Sequence, residues 1–413
     1  MASLLTAASL ALDSIRAHKL RSFLTLLGII VGVASVILVG AAIDGLGDYA
    51  IQITERTFGT ESYLVAQVAS VGRLTSKQLA EKQRRNKRIR PDDVGYLRDV
   101  TGDRILYSPY QQRVEDIKGG NDVYDAGNLI GVSSTLPDIR DVPLADGRFF
   151  TATEEAMRAP VAVIGEDIRA KLFPAGSALG KPIRVGGEEF TVIGLLERQG
   201  SSFGRTLDNP VYIPITVFNK IYGNNTGMAV FGKPRPNSGL TMDEALDLTR
   251  TALRTRFHAQ PGKDDNFDTL TPDSVRSFVD QVLGAITAVV VPVTCISLLV
   301  GGIVIMNIML VSVTERTREI GIRKSVGARR AEILLQFLAE SVILSLAGGA
   351  LGIVLGASSA AVISRLFGLT LSVTLTYVLL GVVVSMIVGV ISGFYPASRA
   401  AKLDPIAAMR AET

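Results

Sequence analysis

Stretches without charge alternate with one long polar segment. Residues 22–43, 281–314, 341–364 and 372–395 contain no Asp, Glu, Lys or Arg. Each is long enough for a helix to cross the hydrocarbon core, which takes roughly 20 residues. The pattern therefore predicts four transmembrane helices. Pro292 interrupts the second, where the missing backbone hydrogen bond favours a kink. Basic residues concentrate in the loop 315–340 and in the tail 396–413, where Arg399, Lys402 and Arg410 lie. Basic residues in short loops mark the cytoplasmic side. Both chain ends then face the cytoplasm, and the polar segment 44–280 lies outside the membrane.

Residues 1–21 place Leu5, Ala8, Leu12 and Ile15 at helical spacing beside Arg16, Lys19 and Arg21. This is the pattern of an amphipathic helix on the inner membrane face. The alternative is a signal peptide, but the apolar part of 22–43 is longer than a usual signal core.

Within 44–280 the periods mix. A helix is expected to continue outward from the first span over 45–56. Residues 62–70 alternate as a strand does, 77–90 is strongly basic, and Pro91-Asp92-Asp93 opens a helix. Residues 105–117 and 123–133 flank Lys118-Gly119-Gly120-Asn121, a hairpin signal. Residues 161–165 read as a strand and 166–173 as a helix. Residues 183–185 and 189–196 pair around Gly186-Gly187, and strands follow at 211–215 and 228–232. Over 241–257, Leu246, Thr249, Leu253 and Phe257 share one helical face. The segment is α+β, with elements too interleaved for a βαβ repeat.

The charged loop 315–340 reads ERTREIGIRKSVGARRAEILLQFLAE. Glu319 and Arg323 stand four apart in the stabilising order. Gly321 and Gly327 bracket 322–326, so any helix between them is short. Ile322 and Val326 would share a face, with Arg323 and Lys324 beside it. That suits a docking element; the alternative is a solvated turn, basic only to set topology.

Composition narrows the function classes. Mean hydropathy is +0.33, and 47% of residues are hydrophobic, high for a soluble protein. A net charge of +4 over 413 residues does not argue for nucleic acid. Cys295, the one cysteine, lies in an apolar run, and only His18 and His258 are present. Cys/His zinc sets and HExxH are thereby excluded. A triad through His258 lacks a GxSxG elbow. Asp264, Asp265 and Asp268 lack the glycine and terminal Glu of a calcium loop. No GxxxxGK[ST] string occurs, so this chain carries no P-loop. No catalytic or metal-binding residue is assigned. The basic run 77–90 reads as a solvated helix face, a lipid contact or a partner contact. Asn307, an amide within the second span, is expected to bond another helix. Small residues at spacing four, which let helices approach in lipid, occur at Gly28 and Gly32, at Gly348, Gly352 and Gly356, and at Ser385, Gly389 and Gly393.

Residues 314–328, TERTREIGIRKSVGA, resemble the loop between the second and third spans of MacB/FtsX-like ABC-transporter permeases, with Ser325 as the departure. The resemblance extends through Glu340 and Gly348, Gly349, Gly352 and Gly356. It includes RSFLTLLGIIVGVASV at 21–36 and YPASRAAKLDPIAAMR at 395–410, and more loosely the segment 44–280. It implies an α-helical membrane protein with four transmembrane helices and a large α+β extracytoplasmic domain inserted between the first and second spans. That domain would have a membrane-proximal lobe, 57–134 with 223–272, and an inserted lobe, 135–222.

The implied role is the permease subunit of a MacB-like transporter in a bacterial inner membrane. A separate ABC ATPase subunit would bind ATP and Mg, leaving this chain without a cofactor. The resemblance assigns coupling to Glu315, Arg316, Arg318, Glu319, Ile322, Arg323, Lys324, Val326, Arg329 and Arg330. It assigns contact with a second copy to Gly28 and Gly32, and implies a periplasmic adaptor protein. Packing within one subunit is expected for the small residues of the third and fourth spans. The rival implied roles are a lipoprotein-release permease and an FtsX-type regulator of a cell-wall hydrolase.

Overall fold

Forty residues, Lys19–Phe58, form one helix, α1, that carries the first apolar run and continues past it. The computed structural model describes residues 19–410 except 60, 121, 175, 203–204, 225–226 and 368–370. The amphipathic helix expected over 1–21 thus lies almost wholly outside the described residues. After α1 come β1 (Tyr63–Ala66), α2 (Ser76–Arg85), α3 (Pro91–Thr101), β2 (Ile105–Gly119) and β3 (Asp122–Val132). Next are α4 (Leu136–Ile139), β4 (Leu144–Gly147), α5 (Ala152–Ala156), β5 (Val161–Ile164) and α6 (Glu166–Leu172). Then follow β6 (Pro182–Val185), β7 (Glu188–Leu196), β8 (Ser201–Ser202), β9 (Arg205–Thr206), β10 (Pro210–Pro214) and α7 (Ile215–Tyr222). β11 (Ala229–Pro234), α8 (Met242–Arg256) and β12 (Asp268–Leu270) complete the polar segment. The rest is helical: α9 (Pro272–Glu315), α10 (Thr317–Ser325), α11 (Arg330–Phe367), α12 (Leu375–Lys402) and α13 (Pro405–Arg410).

The chain divides into a membrane unit, residues up to Asp48 and from Gln281 on, and a unit Tyr49–Asp280. In the latter, the strands run in the order β12–β1–β11–β2–β3–β10–β5–β7–β4, with β6 joining β2 and β7. β2 and β3 pair antiparallel over most of their length, and β3 pairs parallel with β10. One core gathers Tyr63, Val65, Ile89, Leu97, Tyr107, Leu253 and Phe267. A second gathers Ile117, Leu129, Phe190, Val211, Ile213 and Phe218.

The expected division at 134/135 is not where the cores separate. Ile117 and Leu129, placed by sequence in the membrane-proximal lobe, pack with Phe190 and Phe218 of the inserted one. The reason is the length of the β2–β3 hairpin: β2 brings Tyr107 into the first core and Ile117 into the second. The hairpin at β6–β7 turns on Gly186 and Gly187, with φ of 59° and 87°. Adjacent positive φ values suit glycine there.

Four helices are long and apolar enough to cross a membrane: 27–48 within α1, then α9, the α11 stretch Arg330–Leu366 and α12. Small residues set their packing. A Cβ on Gly28 would stand 2.6 Å from the Gly301 Cα, and one on Gly32 2.7 Å from a methyl of Leu298. Gly352 and Gly356 of α11 meet Ile30, Val33 and Ile37 of α1. Gly389 and Gly393 of α12 lie on Ser345 and Ser341 of α11. Asp44 of α1 accepts hydrogen bonds from Thr374 Oγ1 at 2.9 Å and Tyr377 OH at 3.0 Å.

Gly28 and Gly32, expected at a contact between copies, face α9 of their own chain in this structure. The small-residue signal specifies a close approach without specifying which helix approaches.

Candidate functional site

The charged segment after α9 folds into the short helix α10, Thr317–Ser325, packed on the other membrane-unit helices through Ile320. Arg316, with φ −98° and ψ 13°, separates α9 from α10. Thr317 Oγ1 donates back to the carbonyls of Val313 and Thr314 at 3.0 and 2.8 Å. α10 ends where Val326 N bonds Ile322 O and Gly327 takes a φ of 105°, a conformation that favours glycine. Arg329 N donates to Glu332 Oε2 at 3.0 Å, capping α11.

Two expectations change here. Gly321 is buried inside α10 rather than ending it, because the helix begins four residues earlier, at Thr317. The loop also stops at Arg329, since Glu332 caps a helix that starts at Arg330. Residues 330–340 thus belong to the third membrane helix.

Side chains on α10 divide by face. Ile320 is buried, packed with Ile333 and Phe337 of α11 and with Ala397 and Ala400 of α12. Ile322 is 48% exposed and Val326 85% exposed. Glu315, Arg318, Glu319, Arg329 and Arg330 are exposed as well.

The remaining charged residues are engaged within the chain. Arg323 Nη1 donates to Gln336 Oε1 at 2.7 Å, so the expected pair with Glu319 is not made. Lys324 Nζ donates to the carbonyls of Ala401 and Leu403, both at 2.7 Å, where α12 ends and its carbonyls lack helical partners. Burial there holds the Lys324 ammonium below its usual range, Arg330 adding to this and Asp404 opposing it. Arg316 Nη1 meets the Glu340 carboxylate at 3.3 and 3.4 Å. Glu340 is 4% exposed. The sequence signals for these contacts were too weak to read, because each joins residues distant along the chain.

A second surface runs along α9. Val282, Ile286, Val289, Val293, Ile296, Val300 and Ile303 alternate spacings of four and three and are each at least 39% exposed. Asn307, exposed, and Leu310 continue the series. This is a heptad seam with β-branched residues at most positions. Among the described residues Asn307 makes no hydrogen bond to another helix of this chain and stands on this open seam. The seam escapes a reading by composition, since nearly every residue around it is also apolar.

In the polar unit, the aspartates near 264–268 do not converge. Asp268 meets Lys82 at 2.6 Å, Asp264 meets Arg85 at 3.4 Å, and Asp265 pairs with Arg250 and Arg254. Among the described residues, no group of three or more His, Cys, Asp or Glu could hold a metal ion. The basic run 77–90 includes α2, in which no residue is buried. Its ends are fixed by the Thr75–Gln78 capping box and by Asn86, whose amide donates to Gln67 O at 2.7 Å and Asp268 Oδ1 at 3.0 Å.

Comparison with known proteins adds to this geometry. Residues 22–252 match the model of the MacB-like periplasmic core domain, and 293–405 that of the FtsX-like permease C-terminal domain. The chain is 33% identical over 412 residues to the uncharacterized ABC transporter permease YknZ of Bacillus subtilis, covering 99% of this chain and 100% of YknZ. It is 34% identical over 403 residues to the macrolide export ATP-binding/permease protein MacB of Bdellovibrio bacteriovorus. There the match covers 97% of this chain and 61% of the relative, so the chain spans about three fifths of the length of the MacB proteins it resembles. Among solved structures, the periplasmic region of MacB from Actinobacillus actinomycetemcomitans aligns with a TM-score of 0.44 at 18% identity, covering 56% of this chain and 97% of that one.

Proposed function

The chain belongs to the MacB/FtsX-like family of ABC-transporter permeases, and from that premise we propose that it is a membrane subunit driven by an ATPase on a separate chain. The observation that carries this reading is the two-faced α10. Its inner face is fastened to the spans, and its outer face offers Ile322 and Val326 among Arg318, Arg329 and Arg330. An apolar anchor with basic groups around it suits a groove on a partner protein: buried anchors supply most interface energy, and rim charges steer association. In this reading α10 lies in the cytoplasm, with both termini, in a bacterial inner membrane. ATP and Mg bind to the partner, and closure of the ATPase shifts the spans and the outer domain.

The subunit works as a pair, and the heptad seam of α9 supports that part of the reading. As a helix, 281–314 is about 50 Å long, whereas the hydrocarbon core is about 30 Å thick. Part of the seam therefore projects into water, where an apolar ridge needs a protein cover. A second α9 matches the seven-residue repeat, and Asn307 sits where a buried amide sets register. The cargo is a drug, peptide or other extracytoplasmic substrate, handed to a periplasmic adaptor.

Co-expression with an ABC ATPase chain from the same genome tests the proposal. The two should purify together from detergent, and the complex should hydrolyse ATP faster than the ATPase alone. A chain that purifies alone and leaves hydrolysis unchanged would contradict it.

A further inference from the structure

Glu340 and Lys324 are charged groups that an exposed docking face does not use. Glu340 lies at the cytoplasmic end of the third span, 4% exposed, and its carboxylate meets Arg316 at 3.3 Å. A buried carboxylate is costly unless paired. Arg316 is the single residue between α9 and α10. At the other end of α10, Lys324 donates to Ala401 O and Leu403 O, the orphan carbonyls of α12. Between these two ends, Arg323 reaches Gln336 of α11, and Ile320 is buried against α11 and α12.

The Arg323 and Lys324 contacts tie α10 to the third and fourth spans, and the Glu340 pair ties the α9–α10 junction at Arg316 to the third. To α9, the second span, α10 is joined by the backbone at Arg316 and by the Thr317 hydroxyl on Val313 O and Thr314 O, and Val313 shares the buried cluster of Ile320. We propose that Lys324 and Glu340 are positioning residues: Lys324 fastens the end of α10 to the end of α12, and Glu340 holds the α9–α10 junction at Arg316 to α11, so that α10 is fixed at both ends to the third and fourth spans. Lys324 then acts as a clamp rather than as part of the docking rim. A push on α10 then reaches the third and fourth spans directly. This rests on the proposed role of α10, yet the fastening itself can be measured without any partner.

The test uses the full chain in lipid nanodiscs with Cys295→Ser, spin-labelled at cysteines replacing Ser325 and Lys402, both exposed. The parent should give one narrow distance distribution. Lys324→Met should broaden it, and Lys324→Arg, whose guanidinium can still donate to both carbonyls, should restore it. Glu340→Gln should broaden it as well. If Glu340→Gln fails to insert, the Lys324 pair of variants still decides the matter.

With the ATPase present, Lys324→Met should keep co-purification and lose the stimulation of hydrolysis, which a merely unstable chain would not do selectively. An unchanged narrow distribution in Lys324→Met would overturn the fastening, whatever the ATPase does. A narrow parent distribution that broadens in the variant, with no ATPase binding in either, would uphold the fastening and sink the proposed role of α10 instead.

Discussion

Gly28 of the first span and Gly301 of the second pack backbone against backbone, so that a Cβ on Gly28 would lie 2.6 Å from the Gly301 Cα and 2.9 Å from its nitrogen. No flexible side chain stands there to give way. Gly28→Ala should therefore destabilise the membrane unit by about 1–3 kcal/mol, the usual cost of overpacking. Gly47→Ala, where a Cβ meets nothing within 4 Å, should not. Thermal unfolding of both variants in one detergent checks this, and equal melting temperatures would remove the contact.

The seam on α9 predicts a periodic crosslinking pattern. In a Cys295→Ser background, single cysteines at Val282, Ile286, Val289, Val293 and Ile296 should form disulfide-linked dimers in membranes. Cysteines at Ala285 and Ala288, off the seam, should form far fewer. Asn307→Leu should weaken the dimer's register and broaden the set of positions that crosslink. Crosslinking without the alternating spacing of four and three would contradict a coiled seam.

How far these features could be read in advance differs between them. The four spans and most strands of the outer domain follow from periods of charge and hydrophobicity, which local sequence carries. The Gly186-Gly187 turn is legible for the same reason. The partner of Gly28 is not, since a small residue signals closeness and not identity. Lys324 and Arg323 looked like free surface charges on a short helix. What decides their role is Leu403 and Gln336, which only the packed bundle brings near. The seam on α9 is in plain view as spacing, but it stands out only once exposure separates it from the apolar residues around it.

Low pH should loosen one corner of the outer domain. Glu154 caps α5 and accepts two hydrogen bonds from the Arg148 guanidinium, each 2.7 Å. The Arg148 guanidinium above all pulls the Glu154 carboxyl down to about 2; burial, next in size, opposes it, and the Thr151 backbone and hydroxyl add to the lowering. A folded pKa below the unfolded value favours the native state above the unfolded pKa, and that contribution is lost as pH falls through the folded value. The corner should thus weaken between about pH 4.5 and pH 2. Amide exchange over 148–156 should speed up across that window, and Glu154→Gln should exchange fast throughout. A protection pattern independent of pH in the parent would rule out this linkage.

The central claim is that the outer face of α10 receives the ATPase. Replacing both Ile322 and Val326 with Ala removes the exposed anchors and leaves Ile320, Arg316 and Lys324 in place to hold the helix. The most direct measurement is the affinity of the purified ATPase for the full chain in nanodiscs, parent against the double variant. Loss of a buried anchor typically costs more than about 1 kcal/mol, so the pair should lower affinity by at least about thirtyfold if the two losses add. Dimer formation and insertion should be unchanged. Equal affinity for the parent and the double-alanine chain would contradict the account.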